Sequence, residues 1–342
     1  MPRPARSGFA RALERAWWRP RPCLLSWLLW PLSLCYRALA ALHRLASTPQ
    51  RIGRPVIVVG NLVVGGAGKT PTTIAVVQLL RQRGWTPGVV SRGYGRAGDG
   101  LVEVGAHSEA AEVGDEPLLI HRRARVPVVV GRDRVAAAQW LCRTHPQIDV
   151  VVSDDGLQHH RLARDLQIVV FDERGVGNGL CLPAGPLREP LPAELPPHSL
   201  LLYNTAVAST PLPGSHATRR LAGVLPLAEW RQGLPAADGW HLLRGHRVRA
   251  VAGIAAPERF FAMLRAQGLE LDAQALPDHD PLTTLPWPDD PALDVLLTEK
   301  DAVKLREGST SKARVWVAPL DFEPDAAFAA AIERLLPRRP ST

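Results

Sequence analysis

From Pro55 onward, short runs of β-branched residues alternate with stretches whose apolar positions recur at helical spacing. "VIVVG" (56–60) has the composition of a buried strand, and a glycine-rich stretch separates it from "TPTTIAVVQLLRQRG". There Ile74, Val77 and Leu80 share one face and Gly84 supplies a stop, so the spacing predicts a helix. Pro71 falls in its first turn, where the missing N–H costs nothing. Further strands are predicted at 87–91, 126–131, 148–154, 166–172 and 199–204. Strands separated by helices imply a parallel sheet with helices on both faces.

A proline-punctuated, loop-rich stretch over 183–240 divides this pattern from a second one. Strands are predicted at 248–254, 293–298 and 313–319, with helices over 257–267, from Lys300, and near 325–336. That composes a second, smaller α/β unit. No internal repeat or low-complexity tract is evident.

The N-terminal pattern is different. "CLLSWLLWPLSLCY" (23–36) is an uncharged run of 14 residues that contains Trp27 and Trp30 and follows Trp17 and Trp18. Residues 1–55 carry ten arginines against Glu14, a net of +9 in a chain whose total is +8, so the remainder sums to −1. A basic patch confined to one end seeks an anionic partner. Arginine flanks, tryptophan and a leucine run point to a bilayer interface, and nucleic-acid arms rarely have this composition. As a helix the run reaches roughly 21 Å, short of the roughly 30 Å hydrocarbon core, and Pro31 interrupts it. It is read as lying in one leaflet. A secretory signal peptide has a similar start, with "ALA" (38–40) as a cleavage site, but it would place a nucleotide-using loop where ATP is absent. A buried core helix is the other alternative, and the arginine density around the run argues against it. The four cysteines, Cys23, Cys35, Cys142 and Cys181, form no CxxC pair, so neither a disulfide framework nor a zinc site is suggested.

The chemistry begins in the glycine stretch. Strand, loop, Lys69, Thr70 and helix are the context that validates a P-loop, and Val63, Val64, Gly65, Gly66, Ala67, Gly68, Lys69 and Thr70 are its nucleotide-binding residues. Val63 stands where the strict pattern has glycine. Backbone N–H groups and the helix N-terminus bind phosphates, Lys69 reaches the β and γ oxygens, and the Thr70 hydroxyl binds magnesium. Two acidic pairs follow, Asp115 with Glu116 and Asp154 with Asp155. Four carboxylates exceed what one metal requires, which leaves one to take a proton from an acceptor hydroxyl. By composition alone either pair also suits a helix cap or a solvated turn. "SRGYGR" (91–96), "DGLQHHRL" (155–162) and "PDHD" (277–280) are weaker polar clusters, and His279 alone reads by default as a surface histidine.

"GNLVVGGAGKTP", "SRGYGR", "GDEP", "SDDGLQHHRLARD", "LPAGPLREP", "PDH" and "TEKDAVK" stand in the order and approximate spacing of the tetraacyldisaccharide 4'-kinase family, the lipid A kinases of Gram-negative bacteria. The chain resembles that family from its N-terminal apolar segment to about residue 320. The resemblance implies an α/β fold with a P-loop NTPase-type parallel sheet, a smaller second α/β domain and an N-terminal membrane-associated helix. The expected divisions are a basic amphipathic segment over 1–50, a P-loop kinase domain over 51–220, and a smaller domain over 221–342 that closes over the active site.

It further implies transfer of the γ-phosphate of ATP, with Mg2+, to the 4'-hydroxyl of a tetraacyl glucosamine disaccharide 1-phosphate at the cytoplasmic face of the bacterial inner membrane. The partners are then this lipid and the membrane surface, with no nucleic acid and no obligate protein partner. Lys69 falls on the P-loop lysine, and Asp115 and His279 on an acid–base dyad. Thr70, Glu116, Asp154 and Asp155 fall on positions around magnesium, and Tyr94, Gln158, Arg188 and Glu189 on positions near lipid headgroup or nucleotide. One departure bears on the orientation of His279: relatives often place an aromatic a few residues after "DH", whereas this chain reads Asp280, Pro281, Leu282. The rival class is a P-loop GTPase or ATPase serving as a switch or metallochaperone. "TEKD" (298–301) superficially resembles a guanine-reading N/T-K-x-D box, but Glu299 before Lys300 breaks that register.

Overall fold

The structure, a computed structural model, describes residues 8–306 and 311–336, so Arg3 and Arg6 of the basic segment lie outside the described residues. Helices α1 (Gly8–Trp17) and α2 (Leu24–Ala46) precede β1 (Val56–Gly60). Then come α3 (Lys69–Gln82), β2 (Pro87–Ser91), β3 (Val102–Glu103), α4 (Ala110–Val113), α5 (Asp115–Ala124), β4 (Val128–Val130) and α6 (Arg134–Thr144). They are followed by β5 (Val150–Ser153), β6 (Leu166–Phe171), β7 (Ser199–Tyr203), β8 (Ser215–Leu221), β9 (Leu225–Pro226), α7 (Leu227–Arg231) and β10 (Arg247–Ala252). The order ends with α8 (Pro257–Ala266), β11 (Glu270–Ala275), β12 (Asp294–Thr298), α9 (Glu299–Ala302), β13 (Arg314–Ala318), β14 (Leu320–Pro324) and α10 (Ala326–Leu335).

Two compact units share the chain. The first takes the segments that end at Thr72, span Asp149–Ala217 and begin at Pro324. Its strands run β8-β7-β6-β1-β5, all parallel. β1 is central and buried along its whole length, which is why Val56 to Val59 are aliphatic without alternation. The phosphate loop therefore leaves the carboxyl end of a strand flanked on both sides, the usual place for a ligand crevice in such sheets.

The second unit takes Thr73–Ile148 and Thr218–Glu323. One sheet segment pairs β2 with β4 in parallel and β4 with β3 antiparallel. A separate five-stranded sheet runs β11-β10-β12-β13-β9, parallel except for β9. Alternation through it is strict: Val248, Ala250, Ala252 and Leu296 join a core with Phe260, Phe261 and Leu264, while Val251, Val295 and Leu297 face one with Leu282, Trp287 and Leu305.

The N-terminal helix differs from the sequence expectation. α2 spans 23 residues, roughly 34 Å at about 1.5 Å per residue, and Pro31 lies inside it without ending it. Pro31 is on the exposed side, where the carbonyl it leaves without an N–H partner can be hydrated. By length and composition alone the helix is long enough to cross a membrane. One stripe of it is nevertheless tied to its own unit. Ser33 donates to the Cys181 carbonyl at 2.8 Å, Tyr36 to the Arg188 carbonyl at 3.0 Å, and Ser26 accepts from Asn178 at 3.1 Å. Leu24, Trp27, Leu28, Leu32, Leu39, Leu42 and Leu45 are exposed on the rest of its circumference.

Candidate active site

In the first unit the phosphate loop is shaped by two glycines with positive φ, Gly65 and Gly68, both at 90°. Lys69 opens α3, buried, and its Nζ donates to Asn61 Oδ1 and to the Gly65 carbonyl, each at 3.3 Å. The ammonium is thus held inside the loop it serves. The loop is braced from outside by Asn204, which donates to the Ala67 carbonyl at 3.0 Å, and by the Val64 N–H on the Pro186 carbonyl at 2.9 Å. Arg174 adds a third brace: it donates to the Gly66 carbonyl at 2.6 Å, pairs with Asp172 at 2.7 Å, and lies 4.2 Å over the Trp18 ring.

Asp154 and Asp155 follow β5, the neighbour of β1. Asp154 is almost fully buried, and Asp155 Oδ1 stands 3.7 Å from Lys69 Nζ and 3.6 Å from Arg188 Nη1. Arg188 donates to Gln158 at 3.0 Å, and Gln158 donates to Glu189 and to the Asn61 carbonyl, each at 3.2 Å. Gln158, Arg188 and Glu189 therefore form one polar chain that reaches the phosphate loop. Thr70, Asp154 and Asp155 offer only oxygen donors, the chemistry of a hard divalent cation. Among the described residues no group of three His, Cys, Asp or Glu side chains converges as a closed metal cage.

The second unit carries the other constellation. Gly114 (φ 96) caps the start of α5, and the sharp turn there puts Asp115 at its first position. A Cβ on Gly114 would stand 3.1 Å from the Cα of Gly93, so the "SRGYGR" and "GDEP" segments meet backbone to backbone. Asp115 is buried; its Oδ1 accepts the Glu116 N–H at 3.0 Å and its Oδ2 lies 2.9 Å from His279 Nδ1. His279 Nε2 lies 3.3 Å from Lys300 Nζ, and the Tyr94 ring is centred 5.6 Å from the imidazole. Lys300 also reaches Asp278 at 3.3 Å and Glu116 at 3.5 Å. Burial opposes ionisation of Asp115, but the His279 hydrogen bond and then the Lys300 charge outweigh it and hold this carboxyl below its usual range. Burial likewise works against the Lys300 charge, and Glu116, Asp115 and Asp278 together reverse that, raising its pKa.

The departure after His279 has a structural counterpart. The Asp280 N–H closes a turn onto the Pro277 carbonyl at 3.0 Å, with His279 in the left-handed region at φ 60. Asp280 Oδ1 accepts the Leu282 N–H at 2.9 Å, and buried Leu282 anchors the turn. His279 is so aimed at Asp115.

Sequence reasoning missed Asn61, Arg174 and Lys300. Lys300 was within view in "TEKDAVK", but nothing local says that its ammonium meets a histidine. In that motif Thr298 caps α9 by accepting the Asp301 N–H at 3.1 Å. Asp301, fully buried, accepts from Thr298 at 2.6 Å, the Gly253 N–H at 2.9 Å and Lys304 at 2.8 Å. A residue consumed by three internal bonds is not available to read a guanine, so the structure gives no support to the GTPase alternative.

A parallel sheet with a lysine-bearing phosphate loop, together with a buried carboxylate–imidazole pair, defines the class: an α/β P-loop kinase. The profile of the tetraacyldisaccharide-1-P 4'-kinase family matches residues 25–337. The tetraacyldisaccharide 4'-kinase of Methylibium petroleiphilum is 53% identical, covering 98% of this chain and 97% of its own. That of Leptothrix cholodnii is 51% identical, covering 96% and 97%. A crystal structure of LpxK from Aquifex aeolicus in complex with ATP superposes with a TM-score of 0.75 at 26% identity, over 92% of this chain and 100% of that one. The chain belongs to the tetraacyldisaccharide 4'-kinase family.

Proposed function

We propose that this protein transfers the γ-phosphate of ATP to the 4'-hydroxyl of a tetraacyl glucosamine disaccharide 1-phosphate, as a peripheral enzyme on the cytoplasmic face of the inner membrane. The observation that carries the reading is the Asp115–His279 pair at 2.9 Å, because a buried carboxylate oriented by an imidazole is what a transferase needs and a simple ATPase does not. Loop N–H groups and Lys69 bind the β and γ phosphates, and Lys69 offsets charge that develops on the equatorial oxygens. Asp115, kept ionised at neutral pH, accepts the proton of the sugar hydroxyl as that oxygen bonds to the γ-phosphorus and the bond from the γ-phosphorus to the β,γ-bridging oxygen breaks, releasing ADP. Its low basicity suits a loose transition state, in which that proton is needed only late. His279 donates to Asp115 and holds it in place.

Thr70, Asp154 and Asp155 would hold Mg2+, and Glu116 is a further proposed ligand; the ion would supply positive charge that offsets the charge of the transferring phosphate. Tyr94 beside His279, and the Gln158, Arg188, Glu189 chain, are the groups proposed to meet sugar, headgroup phosphate or nucleotide. The exposed leucine and tryptophan stripe of α2, with its arginine flanks, would rest in the interface where an acylated substrate resides. The tie of Ser33 and Tyr36 to their own unit favours a helix lying on the membrane over one that leaves the body to cross it.

Incubation with labelled ATP and an acylated disaccharide 1-phosphate in mixed micelles tests this. Label should move to the lipid, only when acceptor is present. Acceptor-independent hydrolysis at the same rate, or strong GTP selectivity, would overturn it.

A further inference from the structure

We propose that Lys300 is a positioning residue for the reaction: its ammonium fixes the ring tautomer of His279, so that the imidazole presents its N–H to Asp115. The inference rests on the reading of Asp115 and His279 as a working pair. An ammonium has three donors and no acceptor, and a carboxylate at neutral pH only accepts. His279 stands between one of each, with Lys300 Nζ 3.3 Å from Nε2 and Asp115 Oδ2 2.9 Å from Nδ1. Only one neutral imidazole satisfies both neighbours, the form with hydrogen on Nδ1 and a lone pair on Nε2. The other tautomer would set N–H against ammonium and lone pair against carboxylate.

The surroundings hold the Lys300 ammonium in place. Asp278 at 3.3 Å and Glu116 at 3.5 Å hold the ammonium from either side, and Lys300 is mostly buried. Asp278 Oδ2 lies 3.8 Å from His279 Nε2, beyond hydrogen-bond reach. Tyr94 meets the imidazole through its ring. Lys300 thus stands within hydrogen-bond distance of Nε2 and instructs it. It sits at the second position of the four-residue α9, whose Thr298 cap and buried Asp301 make a rigid base. The rigidity of that base explains how a flexible side chain delivers a defined geometry, and fixing a histidine tautomer is a recognised way to support proton transfer.

Two measurements decide it. In the full-length protein labelled with 15N-histidine, and assigned through His279→Gln, the neutral form of the His279 ring should show hydrogen on Nδ1 and none on Nε2. A ring protonated on Nε2 alone would overturn the proposal without any Lys300 variant having to fold. In kinetics, Lys300→Met should lower kcat roughly tenfold or more while KM for ATP stays within about twofold. Lys300→Cys should be similarly impaired and regain activity on aminoethylation, with wild-type protein alkylated in parallel as the control. In a His279→Ala background Lys300→Met should cost little more. Lys300→Met at wild-type kcat, or the same fold loss with and without His279, would overturn the role of Lys300. His279→Ala at wild-type kcat would instead remove the underlying pair, so the two failures are distinct.

Discussion

His279 Nδ1 lies 2.9 Å from Asp115 Oδ2, although 164 positions separate them in the chain. If they act as one unit, Asp115→Ala and His279→Ala should each lower kcat far more than they weaken ATP binding. The double variant should be little worse than the poorer single one. A double-mutant cycle on kcat, with Mg·ATP affinity measured alongside, checks this. Strictly multiplicative losses would mean independent roles, and rescue of Asp115→Ala by excess magnesium would make Asp115 a metal ligand.

Lys69→Ala should remove most turnover, by at least about 100-fold, because the transferring phosphoryl group loses its buried counter-charge. The variant also removes the Lys69 donor from Asn61 Oδ1 and leaves the Gly65 carbonyl with the Asn61 amide alone, so loop order is to be checked by nucleotide-binding calorimetry. Near wild-type turnover in a folded variant contradicts the phosphate-loop assignment.

Membrane attachment is best probed on the exposed stripe of α2. Removing the whole helix would also strip Ser33 and Tyr36 from the segment beside the phosphate loop. Leu28, Leu32 and Leu39 are 74%, 55% and 66% exposed. Their combined replacement by glutamine should weaken binding to anionic vesicles by at least about tenfold, with Tm unchanged, since each leucine loses apolar area that would enter the interface. Unchanged co-sedimentation would place the anchor elsewhere.

The acid limb of stability has an identifiable contributor. Asp294 is buried, which disfavours its charge, yet bonds from Arg314 at 2.8 and 2.6 Å, Trp316 at 2.8 Å and His246 at 2.6 Å prevail and depress its pKa. A depressed carboxyl stabilises above its unfolded pKa of about 3.9 and loses that contribution as pH falls through the lower folded value. Asp294→Asn should thus be less stable than wild type at pH 7, by about 2 kcal/mol, and the gap should close in solutions more acidic than about pH 4. Urea titrations across that range check the sign. A gap that widens with acid would refute it.

The features legible in the amino-acid order are those that depend on near neighbours. β1, β5 and β12 are buried through their length and carry aliphatic runs over 56–59, 150–152 and 295–297, β6 departs from that pattern only at half-buried Gln167, and the loop after β1 announces itself because lysine, threonine and glycine must be adjacent to cradle phosphate. The polar strands β8 and β11 carry no such mark. β11 is an edge strand whose pairing comes from the β10 backbone, and hydrogen bonding to a neighbour demands no apolar side chain. The 14-residue apolar run understated α2, because the tertiary ties of Ser26, Ser33 and Tyr36, not hydrophobicity, hold the helix together past Pro31. In the site, motif resemblance could name Asp115 and His279, but it took the Pro277–Asp280 turn and buried Leu282 to aim the imidazole. Lys300 was decided by tertiary structure alone: the charge balance of an ammonium among Asp115, Glu116, Asp278 and His279 is a property of distances in space, and spacing along a chain does not encode it.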